Sequence, residues 1–302
     1  MKRLPQIALL ADGKRLHLQD GPIDLIVEAK GRDANVRAAY AAAAQRFTGL
    51  LDELCEELAE LRKAADPSRT SLRGVVARRM HAAVAPFAGE EFITPMAAVA
   101  GSVAEEVLGA VLRAAPLDRA YVNNGGDIAL HLAGREQFSV GLMDRPDRHG
   151  VMRNLTVDAS DNIRGVATSG CHGRSFSLGI ADAITVLART ASQADAAATI
   201  IANAVDLPGH PAILRIPASE LQPDSDLGAR RVTRDVGHLS ADEIDLALEA
   251  GGRRARQLVA AGLIEGAALR LLGETVVVGA KAVDASGSQA VHKHPVRNLM
   301  YG

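Results

Sequence analysis

The sequence predicts an α+β fold in which antiparallel sheets pack with helices. Strand-like and helix-like stretches occur in clusters rather than in strict alternation, which argues against a doubly wound parallel sheet. The hydrophobic period also changes from helical to alternating after the third helical stretch. Of the 302 residues, 48% are apolar, enough for a substantial core. The expected organisation is a single domain over residues 1–302, with two interlocked halves as a variant of it, and no internal repeat stands out.

Taken in order, Ile7 to Leu10 and Arg15 to Leu18 read as strands around an Asp12-Gly13 turn, followed after Asp20-Gly21 by the apolar run Ile23 to Val27. Ala34 to Ala65, rich in Ala, Leu and Glu, reads as one long helix ending before Asp66-Pro67, with Leu50, Leu51, Leu54, Leu58 and Leu61 at core or subunit-interface spacing. A second helix is expected from about Gly74 to Phe87. A third starts near Thr94-Pro95 and runs through Met96, Val99, Val103, Val107 and Val111, with Glu105 and Glu106 expected on its outer side. Ala120 to Val122, Ile128 to Leu132, Phe138 to Leu142, Asn154 to Val157 and Ile163 to Ala167 then form short runs separated by Gly, Asp and Pro, the pattern of an antiparallel meander. Ala183 to Ala188 is a further strand, and Ser192 to Ala204 a helix ending near Leu207-Pro208-Gly209. The last third holds a strand at Ala212 to Ile216, a polar loop through Asp226, a helix from Ala241 to Ala261 with Ser240 as N-cap, and a strand at Thr275 to Val283.

Composition excludes several function classes. The formal net charge of -2 provides no field for nucleic acid or an anionic membrane. Aromatic residues make up 3% of the chain and Trp is absent, so stacking platforms for single-stranded nucleic acid are missing. A flat ligand would lie on aliphatic groups and backbone, or against Tyr40, Tyr121, Phe176 or Tyr301. Cys55 and Cys171 form no CxxC pair, which fits a reducing cytoplasm. The N-terminal apolar run is broken by Asp12 and Lys14, too short for a signal sequence, and no membrane-spanning stretch is expected. A small-molecule ligand, with homo-oligomerisation open, is the partner class that remains.

Three polar clusters point to that ligand. Asp195 and Thr199, four residues apart, share one helix face and offer two oxygen ligands to a hard cation such as Mg²⁺. Alternatively, Asp195 helps cap a helix that begins near Thr190. Thr168-Ser169-Gly170 ends an apolar strand in a turn whose hydroxyls and amides suit an anion, though the same tripeptide serves plain turns. Asn123-Asn124-Gly125-Gly126-Asp127 combines amide groups with glycines that permit positive φ and close ligand approach, or simply joins two strands. Beside these, His172 is a candidate acid or base. Its neighbour Cys171 could host a thiolate only if the pair faced one another, which sequence neighbours rarely do. Asp182 is either a ligand contact or a strand-edge charge, and Arg174 would suit a phosphate. His292 and His294 read as a polar tail.

At these residues the chain resembles the ApbE-like superfamily. The resemblance rests on the strand and Gly-Gly-Asp turn at Ala120 to Ile128, the strand Phe138 to Pro146, the turn Val166 to Gly170, and the AD-x-x-x-T pattern at Ala194 to Thr199. It is strongest to an archaeal and proteobacterial group that also carries Thr94-Pro95-Met96-Ala97-Ala98-Val99-Ala100-Gly101 and the Arg174 to Ala183 segment. It covers most of residues 1–210 and the final third less clearly. The best-known members of the superfamily transfer FMN from FAD to a Thr or Ser side chain with Mg²⁺. The resemblance therefore implies an enzyme that binds FAD or FMN, or a related phosphate-bearing cofactor. In it Asp195 and Thr199 would hold Mg²⁺, Thr168, Ser169 and Gly170 the phosphates, and Asn124, Gly125, Gly126 and Asp127 the sugar or nucleobase side. His172, with Asp182, would be the catalytic proton-transfer group. The flavin transferases carry His-x-x-Asp-Pro-x-x-Gly between the last two motifs, whereas Cys171 to Ala191 has no such stretch and His172 is its one histidine. The alternatives are oxidation or hydroxylation of a small aromatic or pterin-like intermediate in cofactor biosynthesis, and non-catalytic cofactor binding. The missing lipoprotein signal again implies a cytoplasmic location.

Overall fold

A computed structural model describes residues 4–143, 151–173 and 175–279, and at 142–143 and 151–153 the backbone alone. Arg174, Tyr301, His292 and His294 therefore lie outside the described residues. The chain opens with β1 (Gln6–Leu9), β2 (Leu16–Asp20) and β3 (Ile23–Lys30). The single long helix expected next is instead three: α1 (Asp33–Phe47), α2 (Leu50–Glu56) and α3 (Leu58–Leu61). The first break falls at Thr48-Gly49, where Gly49 adopts φ +85, and the second at Glu57, with φ -111 and ψ 9, so composition favoured helix throughout while local torsions interrupted it. Leu50, Leu54 and Leu61 are buried as their spacing implied.

Helix α4 (Val75–Val84) and a 3-10 turn at Pro95–Ala98 lead into α5 (Val99–Ala114). Contrary to the sequence expectation, residues Pro95–Ala114 are long and apolar enough by composition to cross a membrane, but 61% of that window is buried inside the fold, the pattern of a core helix. Glu105 and Glu106 also depart from their expected outward position. Glu106 is buried and accepts hydrogen bonds from Arg46 Nε at 2.8 Å and Arg79 Nη2 at 3.0 Å. Burial raises the cost of its charge, yet the two guanidiniums prevail and hold its carboxyl below the ordinary 4.5. The stability it contributes is thus present above pH 4.5 and lost as pH falls through the depressed folded value. Glu106→Ala strands two partly buried arginines, and we expect a loss of about 1.5–3 kcal/mol, read from the urea midpoint at neutral pH.

Next come β4 (Arg119–Asn124), β5 (Asp127–Leu132), β6 (Gln137–Met143), β7 (Val151–Asp158), β8 (Gly165–Ser169), β9 (Ala183–Ala188) and α6 (Ala191–Ala204). The expected meander is interrupted here. β5 pairs with β8, while β6 and β7 leave the sheet as a separate hairpin. The chain closes with β10 (Ile213–Pro217), α7 (Ala218–Leu221), β11 (Arg231–Val236), α8 (Ala241–Ala260), β12 (Gly266–Leu271) and β13 (Glu274–Val278). β11 and β12 were not legible in sequence, the first being rich in charge and the second in Ala and Leu. Of the strand expected at Thr275 to Val283, the part beyond Gly279 lies outside the described residues. Ser240 caps α8 in a capping box with Glu243, and Ser240→Ala should cost about 1 kcal/mol by thermal unfolding.

Among the described residues nine strands form one antiparallel sheet in the order β1-β2-β3-β4-β5-β8-β9-β12-β13. Strict alternation sorts its two faces. Ile26, Tyr121, Ile128, Leu130, Val166 and Leu187 pack with Phe138, Val140, Leu155 and Val157 of the β6–β7 hairpin. On the opposite face, Leu25, Val27, Val122 and Ala129 pack with α1, α4 and α5. There too, Ala167, Ile184 and Val186 pack with α6 and α8. Helices α5 and α6 meet backbone to backbone: a Cβ on Gly101 would lie 2.3 Å from the Ala191 carbonyl oxygen, so only glycine fits.

Candidate functional site

The β4–β5 connection is a two-residue hairpin. Asn124 pairs with Asp127 across it, and Gly125 and Gly126 take φ +65 and +113. Positive φ at both central positions is what glycine supplies here. Asn123 Oδ1 accepts the Gly126 N–H at 2.8 Å, which fixes the turn from within. Asn124, buried, donates from Nδ2 to the Ala100 carbonyl at 3.1 Å, tying the turn to the start of α5. Asp127 then points along the sheet end and accepts the Thr168 N–H at 3.2 Å. Thr168 in turn shares a 3.1 Å hydroxyl bond with Thr185 of β9. The Gly-Gly-Asp turn and the Thr-Ser-Gly strand end, 41 residues apart in sequence, are thereby joined.

Asp195 reaches the same place from α6. The capping alternative for its own helix does not hold, because Thr190 caps α6 by accepting the Gln193 N–H and no acid stands in the first turn. Asp195 instead serves the neighbouring helix: its Oδ2 accepts the Gly101 N–H of α5 at 2.9 Å. Glu105 of α5 returns the arrangement by accepting the Ser192 N–H of α6 at 2.7 Å. Each helix N-terminus is thus met by a carboxylate of the other, which satisfies amides that have no partner within their own helix. Burial drives the Asp195 carboxyl well above its ordinary 3.8, and the charge of Asp127 adds to the rise, against the Gly101 and Ala100 amides that favour ionisation. Asp127, assigned in sequence to the sugar or nucleobase side, therefore stands electrostatically beside the carboxylate assigned to a metal. Thr199 lies one helical turn from Asp195 on α6 and is half-buried.

A second group lies where β8 ends and β9 begins. Gly170 approaches the Asp182 carbonyl so closely that a Cβ there would be 2.3 Å from its oxygen, and Cys171 N–H donates to Ala181 O at 2.9 Å. His172 Nε2 lies 2.9 Å from Asp182 Oδ1. Ser169 pairs in register with Ile184. Sequence reasoning placed Asp127, Thr168 and Asp195 in one site but missed Thr185 and the Ala100 and Gly101 amides. Ala100 and Gly101 close the Thr94 to Gly101 segment, and the glycine in it was the available signal; Thr185 sits inside an apolar strand and gave none.

For a hard divalent cation the donors fit: two carboxylates and threonine hydroxyls are an all-oxygen set of the type that holds Mg²⁺ when ligand phosphates and water complete it. A family model described as "AbpE bacteria" matches residues 7–277 of this chain. A UPF0280 protein of Methanopyrus kandleri is 36% identical over 183 residues, which is 60% of this chain and 69% of the relative. A UPF0280 protein of Methanococcoides burtonii is 40% identical over 127 residues, 39% of this chain and 48% of the relative. Another from Methanosphaerula palustris is 37% identical over 140 residues, 43% and 52%. Against the last two the matched stretch spans about half of the relative's length. Among solved structures, the apo form of Pseudomonas stutzeri flavinyl transferase ApbE aligns over 94% of this chain and 98% of its own, with a TM-score of 0.46 and 12% identity.

Proposed function

The chain belongs to the AbpE bacteria family, and we propose on that premise that it is an enzyme whose site binds a flavin nucleotide, FAD or FMN, through its phosphates together with Mg²⁺. The observation that supports this reading most is the meeting of Asp127 and Asp195. Two carboxylates from a hairpin turn and a helix, whose mutual charge and burial disfavour ionisation of Asp195, gain most from a divalent cation. Asp195, with Thr199 one turn away, would hold the cation from α6, and Asp127 would hold it from the sheet. When bound, the metal would offset pyrophosphate charge and polarise the phosphorus. The chain's own residues orient the ligand. Thr168 and Ser169 offer hydroxyls at the end of β8, and the glycines at 125 and 126 let backbone approach without a side chain. Asn123 fixes that turn from within and Asn124 anchors it to α5. Flavin transfer is the chemistry this resemblance favours. The absence of a His-x-x-Asp-Pro-x-x-Gly stretch in Cys171 to Ala191 supports a second reading in which the flavin is held and used, or delivered, without transfer.

The test is a fluorescence titration of the full chain with FAD and FMN, with and without Mg²⁺. Magnesium-dependent, saturable binding supports the site. Equal affinity in magnesium and in chelator, or no binding of either flavin, overturns it. Mass analysis of candidate acceptor proteins after incubation with FAD then separates transfer from retention.

A further inference from the structure

We propose that Cys171, His172 and Asp182 form a binding site for a divalent transition-metal ion of the zinc class, distinct from the oxygen-only Asp127–Asp195 site and with one coordination position left open. Sulfur, imidazole nitrogen and carboxylate oxygen from these three residues already lie within 4.8 Å of one another. Zinc–ligand bonds of about 2.0–2.3 Å place tetrahedral donors on the order of 3.5 Å apart, so side-chain rotation alone closes the site. The Cys171 thiol, which now points at the Ile180 carbonyl 3.6 Å away, would swing to the metal and release its proton to solvent as the sulfur–metal bond forms, and the proton shared by His172 Nε2 and Asp182 Oδ1 would move to Nδ1 through solvent so that neutral imidazole and carboxylate both face the ion. Thiolate and aspartate together then balance the charge of the ion.

The surroundings are those of a prepared ligand set. Asp182 is buried, and its Oδ2 accepts the Leu272 N–H at 2.5 Å, leaving Oδ1 directed at His172. Leu272 delivers that amide from φ +45, the one left-handed non-glycine among the described residues, and such backbone persists where the surrounding structure enforces it. The Asp182 N–H donates to Arg270 O and the Cys171 N–H to Ala181 O, both at 2.9 Å, so the ligand-bearing backbone is tied to β12 and to itself. Such outer hydrogen bonds orient metal ligands and raise their affinity. The three ligands come from the two ends of the β8–β9 connection, where the Cys171 N–H to Ala181 O bond brings those ends together, while Cys171 and His172 are partly open to solvent, which provides an entry path. Three protein ligands leave the fourth tetrahedral position for water or a substrate oxygen, the arrangement of catalytic rather than structural zinc. Soft sulfur selects against Mg²⁺, so the two sites would not compete for one ion. His172 is thereby reassigned from the proton-transfer role expected in sequence.

The experiment uses the reduced, chelator-stripped full chain. Adding one equivalent of Co²⁺ should produce thiolate-to-cobalt charge-transfer absorption with tetrahedral ligand-field bands, abolished in Cys171→Ser and retained in Cys55→Ser and Asp195→Asn. One equivalent of Zn²⁺ should slow iodoacetamide alkylation of Cys171 in the wild type by at least about 10-fold while exposed Cys55 reacts as before. His172→Ala and Asp182→Asn should weaken zinc by at least about 100-fold. The alkylation measurement needs no variant, so a folding defect cannot obscure the answer. Unchanged alkylation of Cys171 with zinc, or a cobalt spectrum of octahedral oxygen–nitrogen type, would overturn the proposal and leave the group a hydrogen-bonded His–Asp pair that pins a turn.

Discussion

Asp195→Asn is expected to make the metal-free protein more stable at neutral pH and, in the same molecule, to abolish magnesium-dependent flavin binding. The amide keeps an oxygen that can accept the Gly101 N–H, so the join between α5 and α6 is preserved. What disappears is a carboxylate whose ionisation is opposed first by burial and then by the charge of Asp127. A carboxylate at a helix N-terminus contributes about 0.3–1 kcal/mol, and the raised pKa shows that burial and repulsion outweigh it. Removing the charge should therefore gain on the order of 1–3 kcal/mol, seen as a higher urea midpoint in chelator.

The pH dependence has a definite sign. With the folded-state pKa above the unfolded one, the folded protein binds more protons across the interval between them. Metal-free wild type should then lose stability as pH rises from 3.8 through the raised value, and the variant should lack that slope. Magnesium together with the flavin should restore the wild type's stability and do nothing for Asp195→Asn, whose affinity in magnesium should fall by at least about 100-fold. A variant that binds flavin as tightly as wild type, still in a magnesium-dependent way, would show that Asp195 has only a structural role at the α5 N-terminus.

Gly101→Ala is expected to destabilise the fold by about 3 kcal/mol or more, although alanine is otherwise the residue most favoured in a helix. Its Cβ would meet the Ala191 carbonyl oxygen at 2.3 Å, the carbonyl carbon at 2.5 Å and the Ser192 nitrogen at 2.8 Å. These are backbone atoms at the start of another helix and cannot rotate aside. The helices would have to separate, taking the Gly101 N–H from Asp195 and stretching the Glu105 bond to Ser192, so flavin binding should weaken along with stability. Gly89→Ala, where nothing lies within 4 Å of the added carbon, is the control and should change the midpoint by less than about 0.5 kcal/mol. A Gly101→Ala midpoint equal to that of the control would mean that α5 and α6 are not held at this distance in solution.

These effects divide what was legible in the chain from what was not. Wherever a signal is local, sequence reading reached it. The Ser240 cap, the Gly125-Gly126 turn and the four-residue spacing of Asp195 and Thr199 follow from torsions and periodicity that neighbouring residues dictate. The alternating runs from Ala120 to Ala188 likewise follow from the pleat, and with the clustered order of elements they determined the α+β class. The break at Gly49 was missed because a single torsion outweighed thirty residues of helical composition. Pairing partners were hidden for a different reason: nothing within β5 states that it should join β8 rather than β6, since that choice depends on which faces can be covered at once. The direction of Glu106 was decided by Arg46 and Arg79, two cations from other helices, against the pattern of its own. The candidate site follows the same rule. The sequence by itself determined which polar side chains are candidates for chemistry and which turns present them. Only the tertiary structure decided that Asp127 stands beside Asp195 and that Cys171, His172 and Asp182 converge, because those distances arise from sheet register and from the close crossing of α5 on α6, and burial and charge act through space rather than along the chain.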